Sequence, residues 1–379
     1  MHDITESMLD ELEAMLSGKT SPYHKAAWVM ALAVIAIFSV MISQGIALKS
    51  PVAVIDADAS SFSTRLIESV RTSAYIDVTD VINAPVDPQL FTQHDRNVGV
   101  LYLPKGLERA AMRGESFNIA YFADTANIAQ NAQTISALKE FIPQLHPVET
   151  AAPVLAVVER DLFNPVHSTA ITFTTTFLFF FSSILYGITT LMIIGRLKIS
   201  GQWSSVVLRR GPLALMSRIV PYALVYTAAV TLCIGVLVNA AGLRFAGNCL
   251  AFVPAVFLTA LDIGLLGMVL CWKTSNPAQG ASRMILVVPP GFILGGALMT
   301  SGFFNTHLIF LKWIWPLSWL YALWRDIALR AVPTLQLLSL YGAFLVYSAL
   351  LAAGVCALFV RALRDRDEFE RDLAKGISS

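Results

Sequence analysis

Charged side chains are scarce in this sequence. Asp, Glu, Lys and Arg make up 14% of its 379 residues, whereas 56% are hydrophobic. Soluble domains carry about 25% charged residues, and even a large core needs a solvated surface around it. The shortage therefore excludes an ordinary soluble protein and indicates a membrane protein. A net charge of +1 also excludes a nucleic-acid-binding protein held by bulk charge.

Sequence patterns for cofactor, metal and catalytic sites are also missing. The four cysteines are scattered, which excludes a disulfide scaffold and offers no metal-ligand spacing. His94, His146 and His167 are far apart in sequence, so we expect solvated surface histidines. The only string like a phosphate-binding loop, Gly18-Lys19-Thr20, has Glu13 where that motif needs its first glycine. We expect no bound cofactor and no nucleotide hydrolysis by this chain.

Six stretches are long and apolar enough to cross a bilayer, since a span needs about 20 mostly apolar residues. They are Ala26–Leu48, Ser168–Ile194, Met216–Ala240, Cys249–Trp272, Met284–Ser301 and Leu337–Val360. The first lacks a small-x-small cleavage site, so we expect a retained anchor. The predicted fold class is an α-helical polytopic membrane protein with six transmembrane helices and a mixed α/β extracytoplasmic domain inserted after the first.

Basic residues predict the orientation of these spans. With the N-terminus inside, the cytoplasmic segments carry 14 Lys and Arg residues, and the short outer segments carry Arg244, Lys312, Arg325 and Arg330. Positive charge is retained on the cytoplasmic side, so both termini are expected there. Tryptophans predict an aromatic belt at each surface. Trp28, Trp203 and Trp272 fall at the inner side, and Trp313, Trp315, Trp319 and Trp324 at the outer side.

The segment 49–167 has the composition of a soluble fold, with 9 Lys/Arg and 14 Asp/Glu. Alternating strands and helices favour an α/β or α+β layer structure. The predicted strands are Pro51–Asp56, Val98–Leu103 and Phe117–Phe122. The predicted helices are Ser61–Thr72, with Ser60 or Ser61 as N-cap, Leu107–Arg113, and Asn127–Leu145, with Val148–Asp161 as a candidate continuation.

Two cytoplasmic segments are candidates for contact with a partner. Residues 1–25 contain an amphipathic helix with an acidic polar face, for which the membrane interface and a partner protein both remain open. The loop Gly195–Arg210 is basic and without acidic residues, and Gln202–Leu208 fits a short amphipathic helix. A positive-inside signal and a docking helix explain this loop equally well. The tail, 361–379, is also expected inside.

Polar and helix-breaking residues within the spans mark candidate translocation or gating positions. Asp262 is the only acidic residue in the six spans, with Gly264 and Gly267 beside it. Pro289, Pro290 and Gly291 interrupt the fifth span, and Gly302 follows. The stretch Asn305–Arg330 is apolar but broken by Pro316, which favours two short helices dipping into the outer leaflet near 302–331.

Several strings, in this order, resemble the ATP-binding-cassette type-2 exporter permeases of bacteria, in particular the long subfamily with an extracytoplasmic insert. They are Val52–Asp56, Leu103–Gly114, Ile119–Asp124, Arg160–Pro165 with the signature Phe163, Asn164 and Pro165, Gly302-Phe-Phe, and Trp315–Tyr321. Leu107 stands where the family usually has an aromatic residue. The resemblance covers nearly the whole chain.

The resemblance implies the permease subunit of an exporter in the bacterial inner membrane. A cytoplasmic ATPase subunit would bind ATP and Mg. A second permease copy or a sister permease would complete the membrane unit, and a periplasmic membrane-fusion adaptor is a further expected partner. The matching ATPase-coupling positions are Arg196, Lys198, Gly201, Gln202, Trp203, Arg209 and Arg210. The family's acidic residues are absent here, which favours a heterodimer with a sister permease that carries them.

The rival hypothesis is an envelope scaffold or receptor, whose extracytoplasmic domain binds a ligand without transport. An intramembrane enzyme is disfavoured, because it needs several clustered catalytic groups within the spans, and only Asp262 accompanies scattered Ser and Thr there.

Overall fold

The computed structural model describes residues 49–73, 75–113, 115–142, 155–163, 169–207, 211–240, 242–296 and 309–364. The predicted N-terminal helix in 1–25 and the anchor Ala26–Leu48 lie outside these residues, as do His146, His167 and most of the tail.

A mixed five-stranded sheet forms the centre of the α/β domain. The strands are β1 Ser50–Asp56, β2 Ile76–Ile82, β3 Gly99–Leu103, β4 Phe117–Ala123 and β5 Leu155–Asp161. Their order is β2-β1-β3-β4-β5, and β4 runs antiparallel to β3 while the other neighbours are parallel. The three predicted strands are present as β1, β3 and β4, at nearly the predicted bounds. Strand β2 was not predicted, because charged Asp residues interrupt its apolar alternation.

Four helices accompany the sheet: α1 Ser61–Arg71, α2 Gln89–Thr92, α3 Leu107–Arg113 and α4 Ile128–Phe141. Ser60 is the N-cap of α1 and makes a reciprocal capping box with Ser63. Because successive strand residues face opposite sides, Val52 and Val54 pack with α1, α3 and α4. Ala53 and Ile55 form a small second cluster on the other face.

The candidate helical continuation through Val148–Asp161 is wrong over its last seven residues. Leu155–Asp161 is β5, which pairs in parallel with β4 from Phe117 to Ala123. The strand could not be predicted from the local sequence, because its pairing partner β4 lies more than 30 residues earlier in the chain. An open edge of β4 supplies the ladder hydrogen bonds that make the strand preferable to a helix.

The helical part of the chain begins at α5 Thr169–Leu191. It continues with α6 Ile193–Ile199, α7 Gln202–Ser205, α8 Gly211–Met216, α9 Val220–Ala240, α10 Cys249–Cys271, α11 Pro277–Ser282, α12 Met284–Val287, α13 Pro289–Leu294, α14 Pro316–Trp324 and α15 Thr334–Arg364. Four stretches of the described chain are long and apolar enough to cross a membrane, namely Thr174–Ile199, Gly211–Ala240, Cys249–Cys271 and Thr334–Leu363.

The predicted fifth span, Met284–Ser301, is not one continuous helix where the structure describes it. It consists of α12 and α13, which meet at Val288. Pro290 has no amide hydrogen to donate to the Leu286 carbonyl, and that carbonyl accepts a hydrogen bond from Trp315 Nε1 at 2.9 Å instead. A side chain of the next segment therefore satisfies the carbonyl that the proline leaves free.

Helix α10 lies at the centre of the bundle and packs against α5, α9, α14 and α15. Two glycines of α10 allow close approach: a Cβ at Gly264 would lie 2.5 Å from Ile219, and one at Gly267 would lie 2.9 Å from Leu191. A similar close approach joins α11 to the end of α5 at Gly280.

The aromatic-belt prediction is wrong for Trp203, Trp319 and Trp324, which are buried in the core. Trp319 stacks on Phe344 with 5.1 Å between ring centroids, and Trp324 packs against Phe179 and Phe252. Large apolar rings gain more from packing in a core than from an interface when neighbouring helices provide a complementary surface.

Candidate functional site: a buried ion cluster between two domains

Helix α14 ends in one turn of π-helix, Arg325–Leu329, that faces the α/β domain. Such turns insert an extra residue into a helix and occur frequently at functional sites. This turn and the following residue carry Arg325, Asp326 and Arg330, all nearly inaccessible to solvent. We call this end of the bundle the domain-side end, and the end formed by α6 and α7 the far end.

Six side chains from the two parts of the chain form what we call the interdomain ion cluster: His94, Asp95, Asp124, Arg325, Asp326 and Arg330. The first three belong to the α/β domain, and the others follow α14. Arg325 holds Asp95 through two donors, with Nε–Oδ1 at 3.0 Å and Nη2–Oδ2 at 2.5 Å.

Arg330 lies at the middle of the cluster and contacts three carboxylates. Its Nη2 lies 2.5 Å from Asp124 Oδ2 and 2.7 Å from Asp95 Oδ1, and its Nη1 lies 2.7 Å from Asp326 Oδ1. His94 closes the cluster, with Nδ1 at 2.8 Å from Asp326 Oδ2. Buried charges persist only when they are paired and hydrogen-bonded, and these groups meet that condition.

Within these six side chains, three carboxylates face two guanidinium groups and one imidazolium when His94 is protonated, and Lys312 lies near enough to Asp95 to help lower the pKa of that carboxyl. The hydrogen bond to Asp326 raises the pKa of His94, although burial opposes this. Burial by itself would raise the pKa of Asp95, but Arg325 and Arg330 together hold it well below its usual range. Burial raises the pKa of Asp124, and Arg330 offsets this only in part.

The backbone that presents His94 and Asp95 is strained. Both residues have positive φ angles, 58° and 56°. Residues other than glycine rarely adopt this left-handed region of the backbone. Such conformations cost about 1–3 kcal/mol each and persist where surrounding contacts hold them. The amide of His94 donates to Asp326 Oδ1 at 3.1 Å. The interdomain contact therefore stabilises a loop conformation that the local sequence disfavours.

Arg325 also reaches the kinked helix. Its Nη1 donates to the carbonyl oxygen of Gly295, the C-cap residue of α13, at 3.0 Å. A cation is favourable at a helix C-terminus because the terminal carbonyls carry partial negative charge. Gly296, next to it, has a φ of 77° and lies close to the guanidinium. One side chain thus contacts the α/β domain and the end of α13.

The described gating candidates, Asp262, Pro289, Pro290 and Gly291, contribute no side chain to this cluster. Asp262 is fully buried in α10, and Ser348 of α15 donates to its Oδ2 at 2.8 Å. Its Oδ1 has no hydrogen-bond partner among the described residues. Pro289 and Pro290 begin α13, and the carbonyl of Gly291 accepts from Ser318 at 3.3 Å. Gly302 lies outside the described residues.

At the far end, some of the predicted coupling residues lie together. Lys198 donates to the Trp272 carbonyl at 2.8 Å and lies over the Trp203 ring, and the two tryptophans meet edge to face. Arg196 and Gln202 are exposed, and Gly201 has a φ of 68° that directs the chain from α6 into α7. Arg209 and Arg210 lie outside the described residues. Of the family signature, Phe163 is buried, while Asn164 and Pro165 also lie outside.

Sequence reasoning missed the ion cluster. The prediction of a solvated surface histidine is confirmed for His94, which is exposed, but its pairing with Asp326 was not predicted. Arg325 and Arg330 were counted only as outer positive charges, and Asp124 only as the last residue of the string Ile119–Asp124. Their partners are more than 200 residues away in sequence. One signal was available: the pattern Arg-Asp-x-x-x-Arg in an otherwise apolar stretch is costly to bury unless further charges compensate it.

The described residues contain no group of three or more His, Cys, Asp or Glu side chains placed to hold a metal ion. A family model described as ABC-2 family transporter protein matches residues 27–359. A search of curated proteins gives no match for the chain.

Proposed function

Because this chain belongs to the ABC-2 family of transporter proteins, we propose that it is the permease subunit of an ATP-driven exporter. Proteins of this family are membrane components of transporters and normally work with an ATPase subunit. The match over residues 27–359 carries the proposal, and the long apolar helices around α10 support it.

In this scheme a separate cytoplasmic ATPase binds ATP and Mg and supplies the free energy for export. Two permease subunits, identical or sister chains, pair in the inner membrane with both termini in the cytoplasm. The far end then faces the ATPase, and the α/β domain lies in the periplasm, where an adaptor is a further candidate partner. The apolar composition of the helices favours a hydrophobic or amphipathic substrate.

The exposed side chains at the far end are the candidate ATPase contacts. Arg196 and Gln202 are exposed, and Arg196 donates to Tyr222 Oη at 3.2 Å, while Trp203 and Lys198 are packed against Trp272. The contacts of Lys198 and Trp203 with Trp272 fit a rigid connection through which motion of the ATPase would reach α6 and α10. The bend between α12 and α13, with its proline-released carbonyl held by Trp315, is the proposed hinge of the outward path.

Affinity purification of the full chain in mild detergent tests the proposal. We expect recovery of a nucleotide-binding subunit and ATPase activity in the purified complex. The double variant Arg196→Ala/Gln202→Ala should reduce that recovery, whereas Arg160→Ala, an exposed basic residue in β5, should not. Recovery of the intact chain without any co-purifying ATPase would refute the proposal and favour the envelope scaffold.

A further inference from the structure

Arg325 has an unusual set of partners for a buried arginine. Its guanidinium binds Asp95 of the α/β domain through Nε and Nη2, and the Gly295 carbonyl at the end of α13 through Nη1. Arg330 lies in the same cluster, but among the described residues its guanidinium donates to the carboxylates of Asp95, Asp124 and Asp326 and to no helix end. Arg325 therefore has a connection that its neighbour lacks.

We propose that Arg325 is a positioning residue that makes the kinked helix α13 and the strained loop His94–Asp95 move together. A displacement of α13 would pass through the Gly295 carbonyl to the guanidinium and then to the Asp95 carboxylate. Its use during export rests on the proposed function, whereas the coupling itself is a property of this chain.

The stiffness of the connection follows from its geometry. A guanidinium is planar, and its five donors have fixed directions, so two bonds to one carboxylate define both distance and orientation. The side chain of Arg325 is 7% exposed and that of Asp95 is 12% exposed. Water is therefore poorly placed to replace either partner, and separation of the pair would leave the buried Arg325 charge without a carboxylate partner among the described residues.

Both ends of the connection are conformationally sensitive. On one side, His94 and Asp95 have positive φ angles and are held by contacts to Arg325, Arg330 and Asp326. On the other side, α13 begins with Pro289 and Pro290 after the break at Val288, and Gly295 and Gly296 follow its last residue. A rigid bridge between a strained loop and a hinged helix is an arrangement in which a change at one end biases the other.

Hydrogen exchange on the full chain in nanodiscs tests the coupling and needs neither ATPase nor substrate. Pro290→Ala restores an amide at residue 290 that competes with Trp315 for the Leu286 carbonyl, and so perturbs the hinge. We expect this variant to raise the exchange rate of amides 92–97 several-fold. In an Arg325→Gln background, Pro290→Ala should leave the rate of those amides unchanged.

Two further variants separate coupling from folding. Arg325→Lys keeps the charge, but a single ammonium group does not reproduce the bidentate bond to Asp95 together with the Gly295 contact. We therefore expect a folded protein in which Pro290→Ala no longer changes the exchange rate of amides 92–97. Arg71→Gln, which removes the exposed ion pair with Glu68 in the same domain, should leave the effect of Pro290→Ala on amides 92–97 intact. Equal responses to Pro290→Ala with and without the Arg325 guanidinium, or no response in the otherwise unaltered chain, would overturn the proposal. Failure to recover an ATPase bears only on the proposed function.

Discussion

Removal of the Arg330 guanidinium should destabilise the protein more than any exposed charge substitution. The variant Arg330→Met keeps much of the side-chain volume and removes every donor. Asp326 then still has His94, and Asp95 still has Arg325. Asp124 keeps only the amide of Ala126, at 3.1 Å, among the hydrogen bonds described for its side chain. The cost should therefore fall mainly on Asp124.

The magnitude follows from burial. The Arg330 and Asp124 side chains are each 1% exposed, and removal of one partner from a buried ion pair costs about 3–5 kcal/mol. The double variant Arg330→Met/Asp124→Asn removes the orphaned charge as well, so we expect it to recover most of that loss. The cycle formed by the single and double variants isolates the interaction between the two residues.

Stability in mixed detergent micelles, measured by pulse proteolysis across an SDS gradient, provides the assay. Arg71→Gln is the matched control, because both side chains of the Arg71–Glu68 pair are exposed and such pairs contribute about 0–1 kcal/mol. A loss for Arg330→Met no greater than for this control would refute the reasoning. A double variant as unstable as the single variant would show that the orphaned Asp124 charge is not the cause.

Three other predictions concern different parts of the molecule. The pKa of His94 is raised in the folded chain, so its contribution to domain docking is complete below the unfolded value near 6.5 and is lost as pH rises through the folded value. Proteolysis of the segments that join the α/β domain to the helices should therefore become faster over that pH range, and His94→Gln should flatten the pH dependence of the cleavage rate. Ser348→Ala removes the donor to Asp262 and should cost about 1–3 kcal/mol, whereas Asp262→Asn keeps an acceptor for Ser348 and should cost less in the same micelle assay. Gly280→Ala places a Cβ 2.1 Å from the Leu191 carbonyl oxygen and should destabilise the crossing of α11 and α5, whereas Gly342→Ala meets no atom within 4 Å and should be neutral or slightly stabilising.

The α/β domain shows which parts of the fold are local. Helices α1 and α3 and strands β1, β3 and β4 lie close to their predicted bounds, because N-caps, proline and glycine stops, and apolar runs act over a few residues. Strand β5 was assigned to a helix, and β2 was missed. Both lie at the edges of the sheet, where the pairing partner rather than the local pattern selects the strand.

The membrane part shows the same division. Hydropathy alone locates the long helices, since a bilayer requires about 20 apolar residues in succession. The two prolines, Pro289 and Pro290, locate the interruption of the fifth span, because proline lacks the amide hydrogen that a helix needs. The burial of Trp319 and Trp324 depended on which helices pack around α14, and composition carries no information on that.

By itself, the sequence determined that the chain is a membrane protein with an inserted α/β domain, because burial of apolar surface and backbone hydrogen bonding are properties of short segments. Only the tertiary structure decided that Asp95 and Asp124 meet Arg325 and Arg330. Coulombic attraction acts between groups that are close in space, and these groups are separated by more than 200 residues of chain. The fold that brings them together is also what excludes water and makes their pairing strong.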